Sequence, residues 1–228
     1  VLIVSVSKSE QVRQAILLQI LSGDLRPGQR LLEAKLAAEL GVSQATVNGA
    51  LQDLHNQGLA VKLLNRSTKV RRYTRREIEQ IFAARMALEP AATAAAATAW
   101  SVEGRDRLRE EVDNMRRAAR SKTLPKFWLA DYTFHQEVYR LTQNSFFIQA
   151  CQAFAAAPLA TILSDRLQSV PMDYLDVAED HQDLVRAMEE GPEPAERLAR
   201  TQIEQSLEKA LRALGSEVPP VSREAVPR

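Results

Sequence analysis

Apolar positions recur at helical spacing along most of the chain. Val12, Ile16, Leu17 and Ile20 share one face of a first helix. A capping box at Ser7-Lys8-Ser9-Glu10 opens it, and Gly23 with the Arg26-Pro27-Gly28 turn ends it. Leu32, Leu36, Ala37 and Leu40 make one face of a short second helix. Gly41-Val42-Ser43 is a three-residue turn in which Ser43 is placed to cap the next helix. Val47, Ala50, Leu51 and Leu54 give that helix its apolar face, and Gly58 stops it. Two short strands then follow, over about Ala60–Leu64 and Thr68–Arg72, with Asn65-Arg66-Ser67 as the hairpin tip. Helix, tight turn, helix and hairpin is the layout of a winged helix-turn-helix.

Beyond Tyr73 only helical spacing is found. Thr74-Arg75-Arg76-Glu77 is a second capping box and starts a long helix through about Ala99. Ser101 caps another to about Arg120, and Pro125 begins a third that ends near Thr142. Ser145 opens a fourth to about Leu167. A fifth runs from about Asp173 to Glu190, where Gly191-Pro192 ends it, and a sixth from about Pro194 to Leu214. The expected fold is mostly α: a winged helix-turn-helix over residues 1–73 and an all-α six-helix bundle over residues 74–215. Residues 216–228, with three prolines, are expected to be a flexible tail.

Composition agrees with this picture. The chain has 228 residues, with 45% apolar and 26% charged, enough for a real core and too apolar for a wholly disordered chain. The single cysteine, Cys151, excludes an intramolecular disulfide framework and any multi-cysteine metal site. It points to a reducing, cytoplasmic location. The apolar opening VLIVSV is too short to span a bilayer and has no basic flank, so no membrane partner is expected.

Charge changes the picture more. The formal total is +1, yet residues 1–73 hold ten Lys and Arg against five Asp and Glu, while residues 74–228 hold twenty against twenty-four. A +5 module joined to a −4 module suggests that one end meets a polyanion. In a winged helix-turn-helix the second helix of the motif enters the major groove, its first residues at base edges. Here those are Ser43, Gln44, Thr46 and Asn48. Gln and Asn side chains can pair bidentately with adenine. Phosphate-facing charge is expected from Arg26, Arg30, Lys35, Lys62, Arg66 and Lys69. Between Gln44 and Gln57 there is no Lys or Arg at all.

The helical module carries polar groups inside its apolar stripes. Phe127, Ala130, Phe134, Val138 and Leu141 form one stripe, with Asp131 and His135 on the same face at i and i+4. His181 lies within the stripe Val177, Leu184, Val185 and Met188. Gln202 lies within the stripe Ala195, Leu198, Ala199 and Ile203. Arg85 and Glu89 flank Ile78, Ile81, Phe82 and Met86 on the stripe's edge. Buried ionisable groups are costly unless paired or bound, so these groups on four helices suggest one shared internal site. Arg85, whose guanidinium fork matches a carboxylate, is the candidate to hold a carboxylate ligand.

The N-terminal run LLQILSGDLRPGQRLLEAKLAAELGVSQATVNGALQDLHNQGLA resembles the DNA-binding domain of the GntR family of bacterial transcription regulators. The family commonly has S-R-T-P-V-R-E-A-L where this chain has Ser43 to Leu51, so Gln44 and Asn48 replace two arginines. Ser67 stands where the wing commonly has Gly. A non-standard operator follows, with A·T pairs opposite Gln44 and Asn48. The second half is similar to the effector domain of the FadR-like (FCD) branch, through Arg85, Leu88, Glu89 and Ala92, then Asp131 and His135, Gln143-Asn144, and His181. In that branch an Asp and three His bind a divalent metal, against which a carboxylate effector can sit. Asp131, His135 and His181 match three of these positions and Gln202 falls at the fourth.

The resemblance implies a homodimeric, ligand-responsive transcription regulator. Its partners would be double-stranded operator DNA and a small carboxylate metabolite. Asp131, His135, His181 and Gln202 could together hold Zn, Ni or Mn and border the effector beside Arg85. Two other readings stand beside this one: a regulator whose pocket has lost its ligand, and a metal-dependent enzyme using the Asp/His pocket. Against the enzyme, no nucleophile–base pair is found beyond the candidate ligands, and a non-enzymatic protein is expected.

Overall fold

A computed structural model describes residues 7–63, 67–152 and 173–214. Nine helices and one small sheet are found among them. The N-terminal unit holds α1 (Lys8–Ser22), β1 (Arg30–Leu31), α2 (Glu33–Leu40), α3 (Gln44–Asn56), β2 (Ala60–Lys62) and β3 (Thr68–Val70). The remainder is helical: α4 (Arg75–Thr98), α5 (Val102–Arg120), α6 (Leu124–Leu141), α7 (Ser145–Gln152), α8 (Tyr174–Glu190) and α9 (Pro192–Leu214). The expected fourth helix runs past Gln152 and the expected tail spans residues 216–228; both portions lie outside the described residues.

The caps form where the side chains call for them. The Ser7 hydroxyl accepts from the Glu10 amide. Glu10 itself turns its carboxylate to the Arg13 guanidinium, at 2.7 Å from Nε. Ser43 accepts from the Thr46 amide at 3.1 Å, and Ser101 accepts from that of Gly104. At Thr74 the capping box is complete in both directions. Helix α7 is capped by Asn144, whose Oδ1 accepts from the amides of Phe146 and Phe147. Helix α9 begins two residues earlier than the apolar spacing predicts, because Pro192 can occupy a first helical turn.

Between α2 and α3 the chain reverses at Gly41, which has φ 64° and sends its N–H back to the Ala37 carbonyl. An L side chain rarely adopts that conformation. Gly49, in the middle of α3, answers a different constraint. A Cβ there would stand 3.1 Å from the Ser9 hydroxyl, so the start of α1 and the middle of α3 approach closely.

The sheet differs from the expected hairpin in one respect. A third strand, β1, adds to it in the order β1-β3-β2, all antiparallel. Arg30 stands opposite Lys69, and Ala60, Val61 and Lys62 stand opposite Val70, Lys69 and Thr68. The strands are shorter than the sequence suggests, although pairing continues past them through Leu63 N–H to Ser67 and Arg71 N–H to Leu59. Leu32 is also placed differently. It precedes α2 as its N-cap, outside the helical face, and is 56% exposed.

The stripes read from the sequence make the core. Ile16, Leu17, Val47, Leu51 and Leu54 are fully buried in the N-terminal unit. Ile78, Leu108, Val112, Phe127, Phe134 and Val185 are fully buried in the bundle. Helix α4 packs on α9 and α6, and α5 packs on α6 and α8. The two units meet where α1 lies against α6. There the buried Arg13 guanidinium reaches Gln57 Oε1 at 3.2 Å. The buried Tyr132 phenol of α6 lies within its field. Burial pushes this phenol up to about 12, against the pull of Arg13. Beside the contact is a half-open cleft of about 590 Å³, lined by Leu18 of α1 and by Glu111, Arg117, Lys126 and Leu129 of α5 and α6.

Candidate functional sites

The turn before α3 exposes Ser43, Gln44 and Asn48, with Thr46 half-buried between them. Ser43 and Thr46 spend their hydroxyls on each other at 2.8 Å, as part of the cap. Asn48 donates its amide N–H to Glu33 Oε1 at 2.8 Å, tying α3 to the first residue of α2. Arg30 and Lys69 face each other across β1 and β3, and Arg30 is exposed. Lys35 is exposed and stands 3.7 Å from Glu39, one turn on. Arg66 lies outside the described residues. The described cations therefore flank α3, which has no Lys or Arg of its own.

The second site is built on α6. Asp131 and His135, one turn apart, face His181 of α8. One ligand atom from each of the three lies within 4.8 Å of the others. His181 Nδ1 is 2.7 Å from the Val177 carbonyl. A carbonyl only accepts, so the proton sits on Nδ1 and the Nε2 lone pair turns inward when the ring is neutral. Nε2 is 3.1 Å from Asp131 Oδ1, within ion-pair distance once the ring is protonated. His181 Nε2 and Asp131 Oδ2 are both buried without a hydrogen-bond partner. The rings of Phe134, His135 and His181 stack edge to face, with centroids 4.8 Å apart for Phe134–His181 and 5.3 Å for His135–His181.

Electrostatics divides the two histidines. Burial pushes His135 down to about 4 although Asp131 opposes it, so this imidazole is neutral near pH 7. Burial also works against a charged His181, but the adjacent Asp131 carboxylate overrides it and raises the pKa. For Asp131, burial alone would raise the pKa, and His181, His135 and Arg85 together bring it below the ordinary carboxylate value.

The expected edge of the α4 stripe lies deeper than its spacing suggested. Arg85 and Glu89 are each 4% exposed. They form a two-point pair, Nε to Oε1 at 2.9 Å and Nη2 to Oε2 at 3.0 Å. The Arg85 guanidinium also lies over the Phe82 ring. Tyr139 donates its hydroxyl to Glu89 Oε1 at 2.8 Å. Tyr139 was missed from sequence, yet it continues the i, i+4 spacing of Asp131 and His135 by one further turn. Gln202 does not face inward as a free donor. Its amide N–H is given to the Asp180 carbonyl at 2.6 Å, next to His181.

A basic winged helix-turn-helix joined to a helical bundle with an internal Asp/His cluster is the arrangement of a transcription regulator with a separate C-terminal domain. The sequence model for bacterial regulatory proteins of the gntR family matches residues 8–70, and that for the FCD domain matches residues 80–205. The chain is 32% identical over 189 residues to a "Probable D-xylose utilization operon transcriptional repressor" of Paenarthrobacter nicotinovorans, covering 82% of each chain. Over 55 residues it is 47% identical to a histidine utilization repressor of Klebsiella aerogenes, covering 24% of this chain and 23% of that one. The solved structure of E. coli McbR/YncC superposes with a TM-score of 0.74 at 20% identity, covering 90% of this chain and 98% of that one. A GntR regulator from Rhodococcus sp. RHA1 superposes at 0.66 and 22% identity, with 90% and 98% covered. The chain belongs to the GntR family and is a DNA-binding transcription regulator with an FCD domain. Among the described residues no helix is long and apolar enough to cross a membrane.

Proposed function

We propose that the FCD domain binds a divalent metal, and that a small organic acid held against it sets the affinity of a cytoplasmic homodimer for a palindromic operator. The observation that carries this reading is the pair of orphaned atoms, Asp131 Oδ2 and His181 Nε2, inside a cluster completed by His135. Two imidazoles and a carboxylate suit Zn, Ni or Mn, and three protein ligands leave coordination positions open. When bound, the metal supplies a Lewis-acidic anchor for a carboxylate. Gln202, already donating to Asp180, supports the wall through α8 and keeps only its oxygen for a fourth contact. Arg85 neighbours Asp131 electrostatically and would meet the acid by sharing or releasing Glu89.

Helix α6 connects the two ends. Asp131 and His135 face the cluster, and Tyr132, one residue on, faces α1 of the DNA-binding unit. A small rotation of α6 on ligand binding would move that contact, and the neighbouring cleft leaves room for it. Through α3, Gln44 and Asn48 would read base edges, while Arg30, Lys35, Arg66 and Lys69 hold phosphates. The repressor of sugar utilisation among the relatives supports repression of a catabolic operon.

Metal analysis of protein purified without chelator tests the reading. About one divalent ion per chain is expected, and His181→Ala should lose it. No metal at any occupancy after incubation with Zn, Ni or Mn would overturn it. The satisfied Arg85–Glu89 pair favours one second reading, a structural metal with no effector. A metabolite thermal-shift screen separates the two, since only a liganded pocket raises Tm with the logarithm of the ligand concentration above Kd.

A further inference from the structure

We infer that Glu33 is a positioning residue that makes Asn48 select adenine over guanine. The inference rests on the reading of α3 as the base-reading helix and adds a residue outside it. Asn48 is exposed in the second turn of α3, and its Nδ2 lies 2.8 Å from Glu33 Oε1. A carboxylate only accepts, so chemistry alone decides which way the amide points. The nitrogen faces Glu33, and Oδ1 is turned away from it.

This orientation has a consequence in the major groove. Adenine offers a donor, N6–H, beside an acceptor, N7; guanine offers two acceptors, O6 and N7. A freely rotating amide pairs at two points with adenine, and can still turn its nitrogen toward O6 or N7 of guanine for a one-point contact. Here the second orientation would place Asn48 Oδ1 against the Glu33 carboxylate. It would replace a 2.8 Å hydrogen bond by two acceptors in contact. One amide proton is held by Glu33, and the other remains beside Oδ1 to complete a two-point contact with adenine. Thymine presents O4 as an acceptor and is disfavoured for the same reason as guanine. Cytosine offers a donor without the companion acceptor and falls between. Helix α3 carries no Lys or Arg that would draw Glu33 away from this task. Specificity at this position thus comes from a repulsive element as much as an attractive one.

The test uses the full chain. Duplexes are selected from a randomised library with the wild-type protein, and the base pair whose preference disappears in Asn48→Ala is identified. Dissociation constants are then measured at one salt concentration for duplexes carrying A or G there. Wild type should prefer adenine by roughly 5- to 150-fold, the range of a good two-point base contact. Glu33→Gln, whose amide accepts either orientation of Asn48, should lower the ratio severalfold, because guanine then gains its one-point contact while adenine keeps both of its own. Removing the charge should also tighten all duplexes equally through the phosphates, so the ratio is the readout. An unchanged ratio in Glu33→Gln, with circular dichroism showing a folded protein, overturns the role of Glu33 alone. A selected sequence that Asn48→Ala leaves intact at every position overturns the base contact itself. Failure of the wild type to select any duplex overturns the reading of α3.

Discussion

Replacing Arg85 by methionine is the sharpest perturbation of the FCD domain. Methionine keeps much of the aliphatic volume and removes the charge. Arg85 and Glu89 are each 4% exposed and meet at 2.9 and 3.0 Å, so the variant leaves a buried carboxylate that keeps the Tyr139 hydrogen bond and the neighbouring His135 but has lost its guanidinium. Removing one partner of a buried pair costs about 3–5 kcal/mol. For a chain of this size that lowers Tm by roughly 6–20 °C. The double variant Arg85→Met/Glu89→Gln removes both charges and should recover most of the loss. The pH dependence has a definite sign. In wild type, burial raises the Glu89 pKa and Arg85 more than reverses it, so the pair's contribution is present at neutral pH and lost as pH falls through the lowered folded value. In Arg85→Met, burial acts with less opposition, the folded pKa rises above the unfolded one, and the penalty fades as pH falls through the raised value. The gap between variant and wild type should therefore narrow on acidification from pH 7. Urea denaturation followed by circular dichroism at several pH values is the assay. A single variant within about 1 kcal/mol of wild type, or a double variant no better than the single, would refute the account of the pair.

Three further outcomes follow from the same geometry. Arg13→Gln should leave operator binding by the metal-loaded, acid-free protein nearly unchanged but weaken the change in operator affinity caused by any acid that a thermal-shift screen identifies, because Arg13 faces Tyr132 at the contact of α1 with α6; an unchanged response in fluorescence anisotropy rejects this link. Gly49→Ala should fall short of the ~1 kcal/mol gain that helix propensity alone gives, since its Cβ would meet the Ser9 hydroxyl at 3.1 Å. Pairing it with Ser9→Gly should restore more of the gain, and a double-mutant cycle with no coupling in urea melts contradicts the contact. Thr74→Ala breaks both arms of a capping box and should cost about 0.5–2 kcal/mol, with a loss below 0.2 kcal/mol counting against it.

Most of the architecture could be read from local signals. Caps at Ser43, Thr74 and Ser101 work through side chains three residues from their targets, and apolar stripes follow the helical period, so both are visible in a linear chain. Strand β1 was not visible, because two residues show no period and pairing with β3 nearly forty positions later is a tertiary event. Leu32 was misplaced for a related reason: spacing put it on the face, while the helix begins one residue later. The Asp131–His135–His181 cluster was legible because each residue interrupts an apolar stripe. The depth of Arg85 and Glu89 was not, since it depends on how α6 and α9 cover α4. Likewise no local rule connects Glu33 to Asn48 or Arg13 to Tyr132; only the packing of separate helices does so.

Successive residues of a helix point about 100° apart, and on α6 that single step separates the cluster from the DNA-binding unit. This matters for anyone building biosensors by joining parts. A chimera that grafts this N-terminal unit onto a foreign sensing domain must reproduce more than a linker of suitable length. It needs a helix whose inward residue joins an Asp/His cluster like that of Asp131 while its next residue meets Arg13. On the proposed reading, swaps that keep the tyrosine at that register should respond to ligand, and swaps that shift it by one position should bind operator without such a response.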